Sequence, residues 1–216
     1  YETLKNRYPN VRILTWKKEF NYSAINNFAV REARGEYLLF LNNDVEIITE
    51  SWLEEMLQLC QQKDVGMAGA KLYYPDDTIQ HAGVVVGLGG VAAHVLCKLP
   101  RDAEGYMGRL RCVQEISAVT AACMMVKTSV FKAVGGFDEE LKVAFNDIDL
   151  CMKVRKYGVK IVFTPYAELY HYESKSRGME DTPEKQLRFS REVNCFRRKW
   201  ERELLKGDPY YNPNLT

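Results

Sequence analysis

No two cysteines in this chain are spaced as CxxC; Cys60, Cys97, Cys112, Cys123, Cys151 and Cys195 are scattered, most of them among apolar residues. That pattern excludes a structural zinc cluster and a disulfide framework, and it points to a reducing, cytoplasmic setting. Long apolar runs are missing too. The longest, "HAGVVVGLGGVAAHVL", is interrupted by glycines and falls short of the roughly 18 residues that a membrane span needs. Charge of one sign is not in excess: Lys+Arg 30 against Asp+Glu 29 leaves +1, so no overall field draws the chain to nucleic acid. There is no glycine-rich, Lys- or Arg-bearing phosphate loop, which weighs against a nucleotidyltransferase. No internal repeat or low-complexity tract appears.

What is present is a chain of 216 residues, 46% hydrophobic, enough for a sizeable core. No composition shift marks a boundary, so residues 1–216 read as one domain. The opening "YETLKNRYPN" has neither a basic start nor an apolar centre, and reads as a helix end turning into a strand "VRIL". The chain therefore reads as beginning in the middle of a fold.

Strand and helix signals then alternate. Ser23 is placed to cap a helix carrying Ile25, Phe28 and Ala29, with Gly35 ending it. "EYLLFL" is a continuous apolar run of the kind found in a parallel strand covered on both faces. Thr49 or Ser51 is placed to cap a helix with Trp52, Leu53, Met56, Leu57 and Cys60 at helical spacing, followed by "VGMAGAKLYY". This βαβαβ rhythm predicts an α/β sandwich. Gly87 to Gly108 is a long, poorly periodic segment of the kind that forms lids or binding loops. Further on, "EISAVTAACMMV" reads as a buried strand, "KTSVFKAVGGFDE" as a short helix, Ile148–Tyr157 as a helix and "KIVFTP" as a strand. Pro183–Leu205 reads as a long amphipathic helix with many Arg and Lys, whose basic face suits an anionic membrane surface.

Three polar stretches carry chemistry or its bland counterpart. Asp44 ends a buried strand, where a carboxylate either holds Mg²⁺ or Mn²⁺ against a diphosphate or merely shapes an Asn-Asn-Asp turn. In "AFNDIDLCMKVRKYG", Asp147 sits where a helix N-cap belongs and Asp149 in the first turn; both positions also suit a base that deprotonates a hydroxyl. In "ELYHYESKSRG", His171 stands beside Glu173, Ser174, Ser176 and Arg177, either as a packed histidine or as part of a metal or phosphate site. His81 and His94 either touch a substrate or hydrogen bond to backbone.

Taken in order, "FNYSAINNFAVREARGEYLLFLNNDVEI", "QHAGVVVGLGG", "SAVTAACMMV", "VGGFDEELKVAFNDIDLCMKVRKYG" and "TPYAELYHYESKSRG" resemble the family 2 glycosyltransferases. These enzymes have the GT-A fold, a Rossmann-like mixed sheet sandwiched by helices, and build bacterial surface polysaccharides. The likeness is strongest to enzymes of O-antigen or rhamnose-containing glycan synthesis. It implies roles residue by residue. The family's Asp-x-Asp motif falls on Asn42, Asn43 and Asp44, with Asn42 replacing the first carboxylate and Asp44 as ligand to Mn²⁺ or Mg²⁺. The family's base falls on Asp147, preceded by Asn146. His171 matches a histidine near the metal or diphosphate, with Arg177 assisting. Asn27 matches an asparagine of the donor pocket, and His81, His94, Thr120 and Asp149 fall on the acceptor side.

The implied partners are a UDP- or dTDP-sugar and a glycan or lipid-linked saccharide. The implied setting is the cytoplasm, at the inner face of the plasma membrane, and the implied mechanism is a single inverting displacement with residues 87–108 closing over the acceptor. The family's opening strands, which grip the nucleoside, are not matched, so this portion alone is expected to be poorly active. The competing reading is a non-catalytic module of the same fold that binds a glycan or a protein partner.

Overall fold

The computed structural model describes residues 2–173, 182–212 and 214. In chain order the elements are α1 (Glu2–Arg7), α2 (Tyr22–Glu32), β1 (Tyr37–Leu41), β2 (Val45–Ile47), α3 (Trp52–Gln61), β3 (Val65–Tyr73) and β4 (Ile79–His81). There follow β5 (Val84–Val86), β6 (Ala92–His94), β7 (Gln114–Glu115), β8 (Cys123–Lys127), α4 (Thr128–Ala133), α5 (Asn146–Tyr157), β9 (Lys160–His171) and α6 (Pro183–Lys206).

The main sheet has the order β1-β8-β3-β9-β2, with β4 on β3 and β7 on β9; β5 and β6 form a separate hairpin. Only β3 and β9 run parallel, and the other pairings are antiparallel. All nine residues of β3 are buried, because each face of the sheet is covered. On one face Met56, Leu59 and Cys60 of α3 pack on Ala68, Ala70, Leu72 and Leu169. On the other, α4, α5 and α6 close over Met67, Val126, Ile161 and Phe163. Gly69 is small for a reason: a Cβ there would lie 2.3 Å from Val119 Cγ1, so the valine fills the place of its side chain.

The mixed α/β sandwich expected from the sequence is present, with differences that have physical causes. β1 is apolar throughout, yet it pairs antiparallel with β8 at the sheet edge. Continuous apolarity reports two covered faces and not strand direction. "VRIL" forms no strand: residues 11–14 lie outside any helix or strand and are exposed, with no strand alongside them among the described residues. Asn21, not Ser23, caps α2 by accepting from Ala24 N, while the buried Ser23 hydroxyl donates to Leu141 O at 2.6 Å. α2 ends at Glu32, ahead of Gly35. The segment read as a strand from Glu115 is regular only over Cys123–Lys127; residues 116–122 instead run past the mouth of a cavity. β9 is twice the length expected, and that extension carries His171 to the cavity.

Candidate active site

The cavity has a volume of about 450 Å³ and lies beyond the ends of β1 and β9. It is lined by Asn42, Asn43, Asp44, Thr120, Asp147 and His171, all singled out from the sequence, and by Phe20, Tyr22 and Glu173, among others.

β1 ends where Asn42 N donates to Ala122 O at 3.0 Å, and the chain turns through Asn43 and Asp44 into β2. The β2–β9 register then pairs Val45 with His171, and Tyr172 N donates to Asp44 O at 2.8 Å. Two segments far apart in sequence thereby set Asp44 Oδ1 3.3 Å from His171 Nε2. Asn42 Nδ2 donates to the same imidazole nitrogen at 3.1 Å. Burial lowers the His171 pKa below its usual value, against the opposing pull of Asp44 and Glu173, so the ring is neutral near pH 7. Asn42 Nδ2 can only donate, so Nε2 accepts there, and it faces a buried oxygen of Asp44 that has no hydrogen-bond partner among the described residues.

Two electron-pair donors in contact with no proton between them suit a cation. Their separation is close to the about 3 Å between neighbouring ligands of a small octahedral divalent ion. A carboxylate oxygen beside an imidazole nitrogen is a mixed donor set that suits a divalent transition-metal cation such as Mn²⁺ better than Mg²⁺. The residues present fit such an ion.

Across the cavity, Phe145 takes a left-handed conformation (φ 61°) and starts α5, so Asp147 lies in the first turn and is not the cap. Asp147 Oδ1 accepts from Ile148 N at 2.8 Å and Oδ2 from Ala121 N at 3.1 Å, which aims the carboxylate at the cavity. Burial first, and then the charge of Asp147, raise the pKa of Tyr22 far above the usual tyrosine range, so its hydroxyl stays protonated. That hydroxyl donates to Ala121 O at 3.3 Å. Upstream of Asp147, Glu192 of α6, itself 3% exposed, accepts from Val143 N at 2.9 Å and Ala144 N at 3.1 Å.

Several expected site residues lie elsewhere. Asn27 does not line this cavity: its amide donates to Phe137 O and Glu139 Oε1 and accepts from Phe137 N, stapling α2 to the turn after α4. Asp149 cannot meet an acceptor, because it is fully buried between Trp200 Nε1 and Lys199 Nζ, both at 2.8 Å, and Lys153 Nζ at 3.2 Å. His81 is also fully buried; its Nδ1 lies 2.9 Å from His94 Nδ1, and neither ring lines the cavity. Burial lowers the pKa of both, well below the usual value for His81. Residues 87–108 do not line the cavity either; the hairpin is held back by Val86 N donating to Asp208 and Arg197 donating to Gly90 O. Arg177, Ser174 and Ser176 lie outside the described residues. Sequence reasoning missed Phe20, Tyr22 and Gln80, and Gln80 had a signal available as the neighbour of His81 in "QHAG".

The sequence profile of a family described as "Glycosyltransferase like family" matches residues 9–192. An uncharacterized protein, y4gI, of Sinorhizobium fredii is 57% identical over 207 residues, which make up 95% of this chain and 23% of that protein. The O-antigen biosynthesis protein RfbC of Myxococcus xanthus is 42% identical over 209 residues, 96% of this chain and 16% of that one. The chain thus spans less than a quarter of the length of these two relatives. Among solved structures, GalNAc-T7 with UDP, GalNAc and Mn²⁺ superposes with a TM-score of 0.64 at 12% identity, over 84% of this chain and 36% of that one. At that identity the likeness is one of fold.

Proposed function

Because the chain belongs to the glycosyltransferase-like family whose profile covers residues 9–192, we propose that it moves a sugar from a nucleotide-sugar donor to a saccharide acceptor, free or lipid-linked, in cell-surface polysaccharide synthesis. The observation that carries this reading is a single cavity presenting a carboxylate base, Asp147, and an acceptor pair, Asp44 and His171, suited to a cation and a diphosphate.

In the proposed reaction the donor diphosphate, of a UDP- or dTDP-sugar, lies at the Asn42–Asp44 turn beside His171. Asp44 and His171 would hold a divalent cation there, which when bound would supply positive charge against the diphosphate. The acceptor hydroxyl approaches Asp147, which takes its proton while the oxygen bonds to the anomeric carbon. The bond from that carbon to the diphosphate breaks on the opposite face, so the configuration inverts. The two backbone bonds to Asp147 keep the carboxylate turned into the cavity as it gains the proton. Tyr22, held neutral, adds no competing charge at this point.

The Asp147→Asn variant tests the proposal. It preserves shape and abolishes the base, so sugar transfer is lost if Asp147 acts as described, and unchanged transfer would sink the assignment. No helix among the described residues is long and apolar enough to cross a membrane. The exposed Arg191, Arg198 and Arg202 of α6 form the surface proposed to rest on an anionic membrane face, at the inner side of the plasma membrane. Arg197, in contrast, is engaged with Gly90 O.

A further inference from the structure

We infer that Gln80 is a positioning residue: it fixes the imidazole of His171 in the tautomer whose bare Nε2 faces Asp44. The inference rests on the reading that Asp44 and His171 hold a cation, and its chemistry lies one shell further out.

Gln80 lies in the middle of β4 and is 4% exposed. One end of its amide lies 3.3 Å from the carbonyl oxygen of His171 and 3.4 Å from Glu173 Oε2. Both partners are acceptors, so that end is the NH₂ group, and the amide oxygen is left facing His171 Nδ1 at 2.7 Å. An amide oxygen only accepts; Nδ1 must therefore carry the proton. At the ring's other nitrogen, Asn42 Nδ2 can only donate and lies 3.1 Å from Nε2, so Nε2 is bare.

The consequence is felt at Asp44. Were the proton on Nε2, the ring would donate to Asp44 Oδ1 across the 3.3 Å gap, and the pair would satisfy itself. With Gln80 in place that closure is denied: Asp44 Oδ1 stays buried without a hydrogen-bond partner among the described residues, and Asn42 Nδ2 donates to Nε2. Gln80 thus holds open a pair of ligands that would otherwise quench each other. Its second bond, to the backbone carbonyl of His171, grips the residue's main chain as well as its ring. Outer-sphere partners of this kind set ligand orientation and basicity in metal sites generally.

The test uses the ¹⁵N-labelled chain and two readouts. Long-range ¹H–¹⁵N spectra without metal report the His171 tautomer, and calorimetry with Mn²⁺ alone reports affinity. The wild type is expected to be protonated at Nδ1. Gln80→Met, similar in shape but without the acceptor, should move the proton to Nε2 and weaken Mn²⁺ binding by about ten- to a hundredfold. Gln80→Glu restores an acceptor to Nδ1 and should recover both the tautomer and the affinity, which a purely structural role would not predict. A wild-type ring protonated at Nε2, or a Gln80→Met variant matching wild type in both readouts, would overturn the inference. Asp44→Ala separates the two layers: Mn²⁺ binding that survives it overturns the metal reading, while the tautomer spectra still decide the role of Gln80.

Discussion

Asp147 shows how a local pattern can name a residue without giving its environment. The sequence places it at the head of a helix, and only the fold brings Ala121 N to one oxygen and the cavity to the other side. Asp147→Asn should lower kcat about 10²- to 10⁴-fold, the usual contribution of a general base. Stability should fall by only about 0.5–1.5 kcal/mol, because Asn keeps one of the two backbone bonds; steady-state kinetics and urea unfolding check the two halves. The three histidines give a second prediction. His81, His94 and His171 all have pKa values lowered by burial from 6.5, so below that pH the unfolded chain binds more protons than the folded one. Stability is therefore fully present above about pH 6.5 and lost on acidification; the urea midpoint should drop between pH 7.5 and 5.5. His81→Gln should flatten that slope, and an unchanged slope would remove His81 from the account. Asp44, Asp147 and His171 were legible because each sits at the end of a recognisable run. Asn27 and Asp149 were not, because their partners Phe137 and Trp200 lie 110 and 51 residues away.

Among the elements, α6 contributes more than its amphipathic spacing suggests. Phe196 is fully buried and packs near Phe145, while Trp200 and Lys199 bind Asp149 downstream of Asp147 and Glu192 binds the backbone upstream of it. The segment that carries Asp147 is thus held by one helix on both sides. Phe196→Ala should cost about 3–5 kcal/mol of unfolding free energy, the range for a buried aromatic. In the sheet, Gly69→Ala should cost about 1–3 kcal/mol through its clash with Val119, measurable by thermal or urea unfolding. Helices read well from periodicity, since a helix makes its own hydrogen bonds and only its buried stripe depends on the rest. Strands read less well. "VRIL" has the composition of β1, yet a strand exists only where another lies beside it, and residues 11–14 have none among the described residues.

At the level of the molecule, a net charge of +1 hides an uneven distribution, with exposed Arg191, Arg198 and Arg202 on one helix. Flotation with phosphatidylserine vesicles should be strong at low salt and should fall when Arg198 and Arg202 are replaced by Glu; equal flotation of both proteins would remove the membrane contact from the proposal. The residues alone established the α/β class, the helices α2 to α6 and the apolar runs that become β1, β3, β8 and β9, and they singled out Asp44 and Asp147 as residues of interest. Periodicity, capping and an apolar run ending in Asn-Asn-Asp are short-range properties, and a chain carries them before it folds. Which strands run antiparallel, which carboxylates meet the cavity and which are neutralised in the core followed from pairings between distant segments. The β2–β9 register puts His171 against Asp44, and the seat of β4 on β3 brings Gln80 behind it. Neither contact has a signature in the one-dimensional pattern, because hydrogen bonding between side chains depends on their separation in space and is indifferent to their separation along the chain.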